Sequence, residues 1–416
     1  MDTKNIIAAI SLSAAVIILY SLFFQPTTKE INNEISNDEN IVSNNSEAPS
    51  LELSKENIKL NRDDAIDAVK RIQFENNNIK GSISLKGALI DDLRFKKYKT
   101  ELNGDKNIIL LNPKDVDDGY IVETGWASNS KNIDLPNYNS IWIIEGNLNL
   151  TPSSPITLSW TNDQNIKFSK KISIDDQFLF TINQSIKNLT NKKYNFYSYG
   201  QIIRNKAPEI TNFYILHEGL LGVFDDNLVE EDYDDIKEKK YSVTANSGWL
   251  GITDKYWITS LVPQEGQKFK ADFDYKKKFR ANFIETNGKE SLPSSTIDSE
   301  IKIIIAAKEV DIVDGYAKKL DINKFDLVID WGFLYFLTKP IFLISDYFFK
   351  VTGNYGIAII LITICIRILF FPLANYSFRS MAKMKVLQPE MTRLKELHKE
   401  DKIKLQQEMM ALYKRE

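Results

Sequence analysis

Cysteine is almost missing from these 416 residues, with Cys365 standing alone. That excludes an intrachain disulfide, a cysteine metal cluster and a redox pair. Histidine is scarce too, at two in the whole chain, which removes most of the usual metal and acid–base constellations. No P-loop, dinucleotide fingerprint, metal-ligand spacing or nucleophile elbow occurs, and no internal repeat is evident. Neither sign of charge dominates: 53 Lys and Arg stand against 56 Asp and Glu, a net charge of −3. Such a balance argues against a general nucleic-acid binder. The length exceeds one ordinary domain and is enough for a sizeable core.

Long apolar runs are what the chain does have. Residues 355–374, YGIAIILITICIRILFFPLA, match the roughly 20 residues needed to cross a hydrocarbon core of about 30 Å. One residue does not belong, Arg367, with Thr363 one turn before it. An arginine near the centre of a membrane helix costs roughly 2.5–3.5 kcal/mol on insertion scales. The surrounding Ile, Leu and Phe return about 0.3–0.6 kcal/mol each and outweigh it by a small margin. The segment is expected to insert, carrying a charge it must place somewhere.

A first apolar run, residues 6–24, is long for a signal-peptide core and lacks a small-x-small cleavage site. It reads as an uncleaved anchor, residues 1–25, over the alternative of a cleaved signal. Residues 26–57 are rich in Asn, Ser and Glu and poor in aromatics, the composition of a flexible linker. A short helical turn is expected within 61–71. Residues 58–330 change to short alternating runs separated by Asn, Gly and Asp, such as ITLSW at 156–160 and YWITSLV at 256–262. That pattern predicts a large all-β sandwich or barrel. Residues 225–240 are highly charged and read as a surface loop or hairpin tip. A late strand is expected at 299–306 and a short helix at 310–320.

Chemistry in the β region would have to rest on little. His217 has Glu218 and Asp225 near it in sequence, but the convergent groups of an acid–base site are missing, so a structural role is expected. Trp126, Trp142, Trp160, Trp249 and Trp257 could stack on sugars, but they sit in or beside strand-like runs, where core packing is the expected use.

Residues 331–350, DWGFLYFLTKPIFLISDYFFK with the preceding Asp330, are apolar but interrupted by Lys339-Pro340 and Asp346. Pro340 is expected to break the ladder midway, and the aromatics suit the headgroup boundary. An amphipathic helix lying along the membrane surface is therefore expected rather than a second span. Residues 351–374 then form the transmembrane helix, and 375–416 a basic helical hairpin broken at 398–401. Its methionines, Met381, Met384, Met391, Met409 and Met410, suit either adaptable peptide contacts or plain packing of one helix on the other. The positive-inside rule assigns 375–416 and the N-terminus to the cytoplasm, leaving 26–350 outside. The helical pattern is still running at Lys414-Arg415-Glu416, so a truncated chain is expected.

The run GNYGIAIILITICIRILFFPLANYSFRSMAKMKVLQPEM, followed by QQEMMALYK, closely resembles the YidC-type bacterial membrane protein insertase. It joins the intramembrane Arg, the Tyr/Phe-Pro-Leu exit, the S-x-x-x-M-A-K-M turn and the L-Q-P start in one order. Looser support comes from Gly81-Ser82-Ile83 with Asp91-Asp92-Leu93, and from Gly248-Trp249-Leu250 ahead of Tyr256-Trp257. The resemblance implies a bacterial inner-membrane insertase and chaperone that is not an enzyme and needs no cofactor. Its expected build is an N-terminal transmembrane helix, a periplasmic β-supersandwich, an interfacial helix, and an incomplete α-helical core. It further implies a hydrophilic groove bearing Arg367 and Thr363, and a cytoplasmic hairpin whose methionines meet substrate. Nascent membrane proteins, lipid, the Sec translocon and the ribosome are the implied partners.

From the residues alone, Gly356, Ile360, Thr363, Arg367 and Ala374 fall near one helix face. The alternative is an arginine snorkelling toward the cytoplasm, since Ala374 lies only about 10 Å further along the axis. Two competing functions remain: a membrane-anchored periplasmic carbohydrate-binding or sugar-converting β-sandwich protein, and a structural partner of export machinery acting through the β region.

Overall fold

Alternation with a period of two builds the strands, because successive side chains on a strand point to opposite faces. In the strand Ile166–Ile174 the inward set is Ile166, Phe168, Lys170, Ile172 and Ile174, all buried. The computed structural model that shows this describes residues 60–416 except 131, 209–215, 333, 399–401 and 416. The expected anchor at 1–25 and linker at 26–57 lie outside the described residues. The chain divides into two units, one ending at Asp330 and the other comprising Trp331–Glu416.

The first unit opens with helix α1 (Arg62–Asp67), whose Asn61 cap accepts from the Asp64 N–H at 2.9 Å. Two large sheets follow. The first runs β14 (Tyr241–Ala245), β17 (Phe269–Tyr275), β18 (Phe279–Glu285), β11 (Tyr194–Arg204) and β5 (Tyr120–Ser128). It continues through β3 (Leu89–Lys99), β2 (Ile79–Ser84) and β1 (Arg71–Glu75) to β7 (Asn149–Leu150). Two short strands, β4 (Asn107–Leu111) on β3 and β19 (Lys289–Ser291) on β11, complete it. The second sheet runs β13 (Asn227–Asp232), β12 (Gly219–Phe224), β15 (Gly248–Thr253), β16 (Trp257–Val262) and β20 (Thr296–Ala307). It ends with β10 (Leu179–Asn188), β9 (Ile166–Ile174), β8 (Ile156–Thr161) and β6 (Ile143–Glu145). Pairing is antiparallel except between β1 and β7.

One hydrophobic cluster joins the inner faces of both sheets. Phe74 of β1 meets Phe180 of β10 edge-on at 5.2 Å, and Phe95 of β3 stacks on Trp257 of β16 at 4.6 Å. The C-terminal end of the unit is clamped to the second sheet. Trp249 is fully buried, donates its indole N–H to the Asn323 carbonyl at 3.2 Å, and packs edge-on against Phe325. Helix α3 (Val310–Lys319) adds Tyr316, whose hydroxyl donates to Asp175 at 2.8 Å and accepts from the Phe178 N–H.

The charged stretch at 225–240 is more than a loop. Asp225 and Asp226 both hold positive φ, as a two-residue hairpin turn requires. The chain then forms β13 and helix α2 (Tyr233–Glu238), because Tyr233 and Ile236 supply a buried apolar pair inside the charge run. The Gly-Ser and Asp-Asp signals also gain a physical reason. Asp91 pairs with Arg71, and Asp92 accepts from Arg62 and, at 2.7 Å, from the Ser82 hydroxyl. Gly81 sits against the Asp92 carbonyl and the Phe74 ring.

In the second unit, helix α4 (Tyr335–Thr352) runs straight through Pro340. This corrects the expected break. Only residues 335–339 of the helix precede the ring, so it falls in the second turn and removes one bond near the helix start rather than midway along a long ladder. Asp346, the other interruption, is paired with Lys350 at 2.8 Å. Gly353 in the left-handed region ends the helix, and the Asn354 side chain caps the next by accepting from the Gly356 N–H at 2.8 Å. Helix α5 then spans Tyr355–Leu397 without a break, 43 residues or about 65 Å. The division at 374/375 is thus a change of chemistry along one helix and not a change of secondary structure. Helix α6 (Lys402–Arg415) follows.

Lys170 is the outlier of the core. It is fully buried, donates to the Thr124 carbonyl at 2.6 Å and lies over the Trp142 ring at 5.0 Å. Burial pushes its amine down to about 8, against the opposing pull of Glu123.

Two outcomes are expected in urea unfolding of the detergent-solubilised protein, followed by tryptophan fluorescence. Gly81→Ala should destabilise the β unit by about 2 kcal/mol, the usual cost of overpacking, because its Cβ would meet the Phe74 ring at 2.7 Å. The second concerns pH. Between pH 8 and the unfolded value of 10.5, the unfolded chain binds the Lys170 proton more tightly. Stability should therefore rise with pH across that window, by up to about 1.4 kcal/mol per unit. The difference between wild type and Lys170→Met should carry that slope.

Candidate functional site

Among the described residues, one helix is long and apolar enough to cross a membrane, α5. Its spanning part is built of β-branched and aromatic side chains with almost nothing packed on them; Ala358 and Ile362 alone are buried. Arg367 lies twelve residues after Tyr355, about 18 Å along the axis, and is exposed. No carboxylate among the described residues pairs with it. Arg367 borders an almost wholly apolar concavity of about 350 Å³, lined also by Ile364, Ile368, Phe371 and Pro372.

Thr363 does not line that concavity. Its hydroxyl donates to the Ile359 carbonyl of its own helix at 2.7 Å, the back-bond that a threonine in an apolar helix commonly makes. Arg367 lines the concavity, and the Thr363 hydroxyl, its proton given to Ile359, keeps its oxygen as an acceptor. Pro372 was not among the expected site residues. The signal was present, since a proline five residues after the arginine sits inside a continuous apolar run.

The methionines divide between two environments. Met381 and Met384 are about half exposed on α5, and Met410 is exposed on α6. Met391 and Met409 are partly buried. At the turn between the helices, His398 faces Glu408 across 3.5 Å.

The β unit was the rival location for chemistry. His217 finds neither of its expected neighbours. Its Nδ1 lies 3.2 Å from Asp232 and its Nε2 3.2 Å from the Leu220 carbonyl, while its backbone N–H donates to Asp330. Asp225 is instead used by the hairpin turn, where it accepts from the Asn246 and Ser247 N–H groups. These contacts tie strand ends together, which is the structural role. Trp126, Trp142 and Trp249 are buried, and Trp160 and Trp257 pack on the core, so none of the five offers a free stacking face.

A polar cluster does exist inside this unit. Glu123 accepts from the Tyr199 hydroxyl at 2.8 Å and from the Gln201 amide at 2.9 Å. Burial pushes its carboxyl up, while Tyr199, Lys170 and Gln201 oppose the shift. The cavity between Glu123, Lys170, Trp126 and Trp142 measures about 10 Å³, room for one water and not for a sugar ring. A larger opening of about 600 Å³ lies beside β1, β2 and β3, lined by Gln73, Glu75, Lys80, Arg94, Asn149 and Thr151 among others, with no tryptophan. No group of three or more His, Cys, Asp or Glu suited to a metal occurs among the described residues.

Comparison with known proteins bears on both units. Residues 71–344 match the family described as the YidC periplasmic domain, and residues 347–416 match the 60Kd inner membrane protein family. The chain is 59% identical over 416 residues to the membrane protein insertase YidC of Pelagibacter ubique, covering 100% of this chain and 74% of that protein. It is 42% identical over 354 residues to the insertase of Rickettsia bellii, covering 83% of this chain and 63% of that protein. A third relative, from Brucella suis, is 42% identical over 365 residues, 86% of this chain and 60% of the other. Among solved structures, a galactose mutarotase related enzyme from Lactobacillus acidophilus matches 57% of this chain and 97% of its own at 12% identity, with a TM-score of 0.39. An overlap that slight carries no weight for fold or ligand.

Proposed function

The chain belongs to the YidC family of membrane protein insertases, and on that premise we propose that Arg367 receives the polar part of an incoming substrate within the membrane. The observation that carries this reading is the guanidinium itself. It stands exposed on the apolar span beside a concavity, with no acidic partner among the described residues. A structural arginine at that depth would be expected to sit against a carboxylate or backbone carbonyls. This one is left to meet whatever enters.

The mechanism is electrostatic and non-covalent. An acidic residue of the substrate approaching Arg367 gains about 4 kcal/mol at 4 Å and an effective dielectric near 20. That attraction offsets part of the desolvation the substrate's outer tail suffers on leaving the cytoplasm. Water drawn to the guanidinium shortens the hydrocarbon path that the tail must cross. No nucleotide or metal takes part in this scheme, and no bond is made or broken.

The topology we propose has residues 1–25 as a membrane anchor and the β unit in the periplasm. Helix α4 lies at the interface with Tyr335, Phe336 and Tyr347 exposed toward headgroups. The half of α5 after Ala374, together with α6, lies in the cytoplasm, as its Lys and Arg content favours. There the exposed Met381, Met384 and Met410 offer adaptable contacts to substrate. The Sec translocon and the ribosome are the proposed working partners, in the inner membrane.

The test is insertion into proteoliposomes containing the complete protein. Arg367→Ala should slow a substrate with an acidic outer tail about tenfold, one 1.4 kcal/mol contact, and leave a neutral-tailed substrate unchanged. Arg367→Lys should keep most of the rate. Equal rates for wild type and Arg367→Ala on the acidic tail would overturn the assignment.

A further inference from the structure

We propose that the β unit rests on the lipid headgroup surface through two hairpin tips, one carrying Leu102 and the other Tyr256. The inference rests on the membrane topology proposed above, with helix α4 at the interface, and it assigns a lipid contact to a unit that has so far been given no binding role.

Leu102 sits in the turn between β3 and β4. The turn is closed by the Thr100 N–H on the Lys106 carbonyl at 3.0 Å and the Gly104 N–H on the Glu101 carbonyl at 3.1 Å. Among the described residues Leu102 is the most exposed large apolar side chain, at 99%. Lys97, Lys99 and Lys106 flank it and are exposed as well. At the second tip, between β15 and β16, Tyr256 is 58% exposed and the Lys255 ammonium lies over its ring at 5.2 Å. A lone exposed leucine is ordinary on a soluble surface. Leucine, tyrosine and lysine together suit a headgroup boundary: the apolar side chain reaches below it, the ring sits in it, and the ammonium groups stay with the phosphates.

Both tips project from one end of the sandwich, and it is the end from which the chain leaves. The Tyr98 ring packs edge-on against Trp257 at 5.0 Å and its hydroxyl donates to Glu309, which ties the first hairpin beside the second. The Lys308 N–H donates to the Tyr256 carbonyl at 2.9 Å, and the charge of Asp330 acts on the Lys308 amine. Asp330 is the last residue of the β unit. Residues 331–334 alone separate it from α4, under about 18 Å of chain even when fully extended. That tether holds this end of the sandwich near the headgroups. Charge is not the attraction, since Glu218, Glu230 and Asp254 gather around Lys308 at the same end. The contact is made by the apolar and aromatic side chains of the two tips.

The experiment attaches a thiol-reactive fluorophore to single cysteines in the complete protein, with every other cysteine, Cys365 included, replaced by serine. The vesicles are of phosphatidylethanolamine and phosphatidylglycerol with nitroxide-labelled headgroups. Probes at Leu102→Cys and Tyr256→Cys should be quenched severalfold more strongly than one at Leu189→Cys. Leu189 is the control because it is also half exposed but follows Asn188 at the far end of β10, about 30 Å along the strand direction. The quenching should persist in phosphatidylcholine alone and in high salt, because an apolar contact is not screened. Equal quenching at Leu102 and Leu189 would overturn the inference. So would loss of the Leu102 quenching in high salt, which would make charge the cause. A probe at Tyr347→Cys on α4 keeps the two readings apart. If it is quenched while Leu102 and Leu189 are alike, the interfacial helix stands and this inference falls; if Tyr347 also matches Leu189, both fall.

Discussion

Hydrocarbon offers no partner to a polar group, and the membrane unit is arranged around two places where helix α5 meets that constraint. Its apolar side chains outweigh one guanidinium by a narrow margin. Its backbone ladder satisfies itself everywhere a residue has an N–H to give. Within the apolar run 355–374, Arg367 and Pro372 are the exceptions, one by carrying a charge and the other by withholding a donor. Both open onto the same concavity. A helix built only to anchor would need neither.

The β unit meets a related problem and resolves it in the opposite way. Lys170 occupies an inward position of β9 and is enclosed by the two sheets, with the Thr124 carbonyl as acceptor and the Trp142 face beneath it. Glu123 is buried and held by Tyr199 and Gln201. These groups are closed off, and the space between them holds no more than a water. A buried cation enclosed by two sheets is architecture. An exposed cation on an apolar span, with no acidic partner among the described residues, is what the proposed receiving role calls for.

The continuity of α5 matters to how such a receiving group could work. A helix of about 65 Å is roughly twice what a hydrocarbon core requires. The same rigid element therefore carries the charge at Arg367 and the methionines at Met381 and Met384. Pro372 lies between them, near where the apolar and basic halves meet.

Much of this protein was determined by its sequence alone, through properties that are local or additive. Alternation announced a β sandwich, the apolar run and its arginine announced the span, and the motif from Gly353 to Met391 announced the family. Each depends on neighbours within a turn or a strand. The tertiary structure alone decided matters that depend on distant partners. It showed that His217 answers to Asp232 and Asp330 rather than to Glu218 or Asp225, because the β12–β13 register brings Asp232 opposite Gly219. It showed Tyr233 and Ile236 turning a charge run into a packed helix. It showed Pro340 leaving α4 whole, since a proline near a helix start interrupts little.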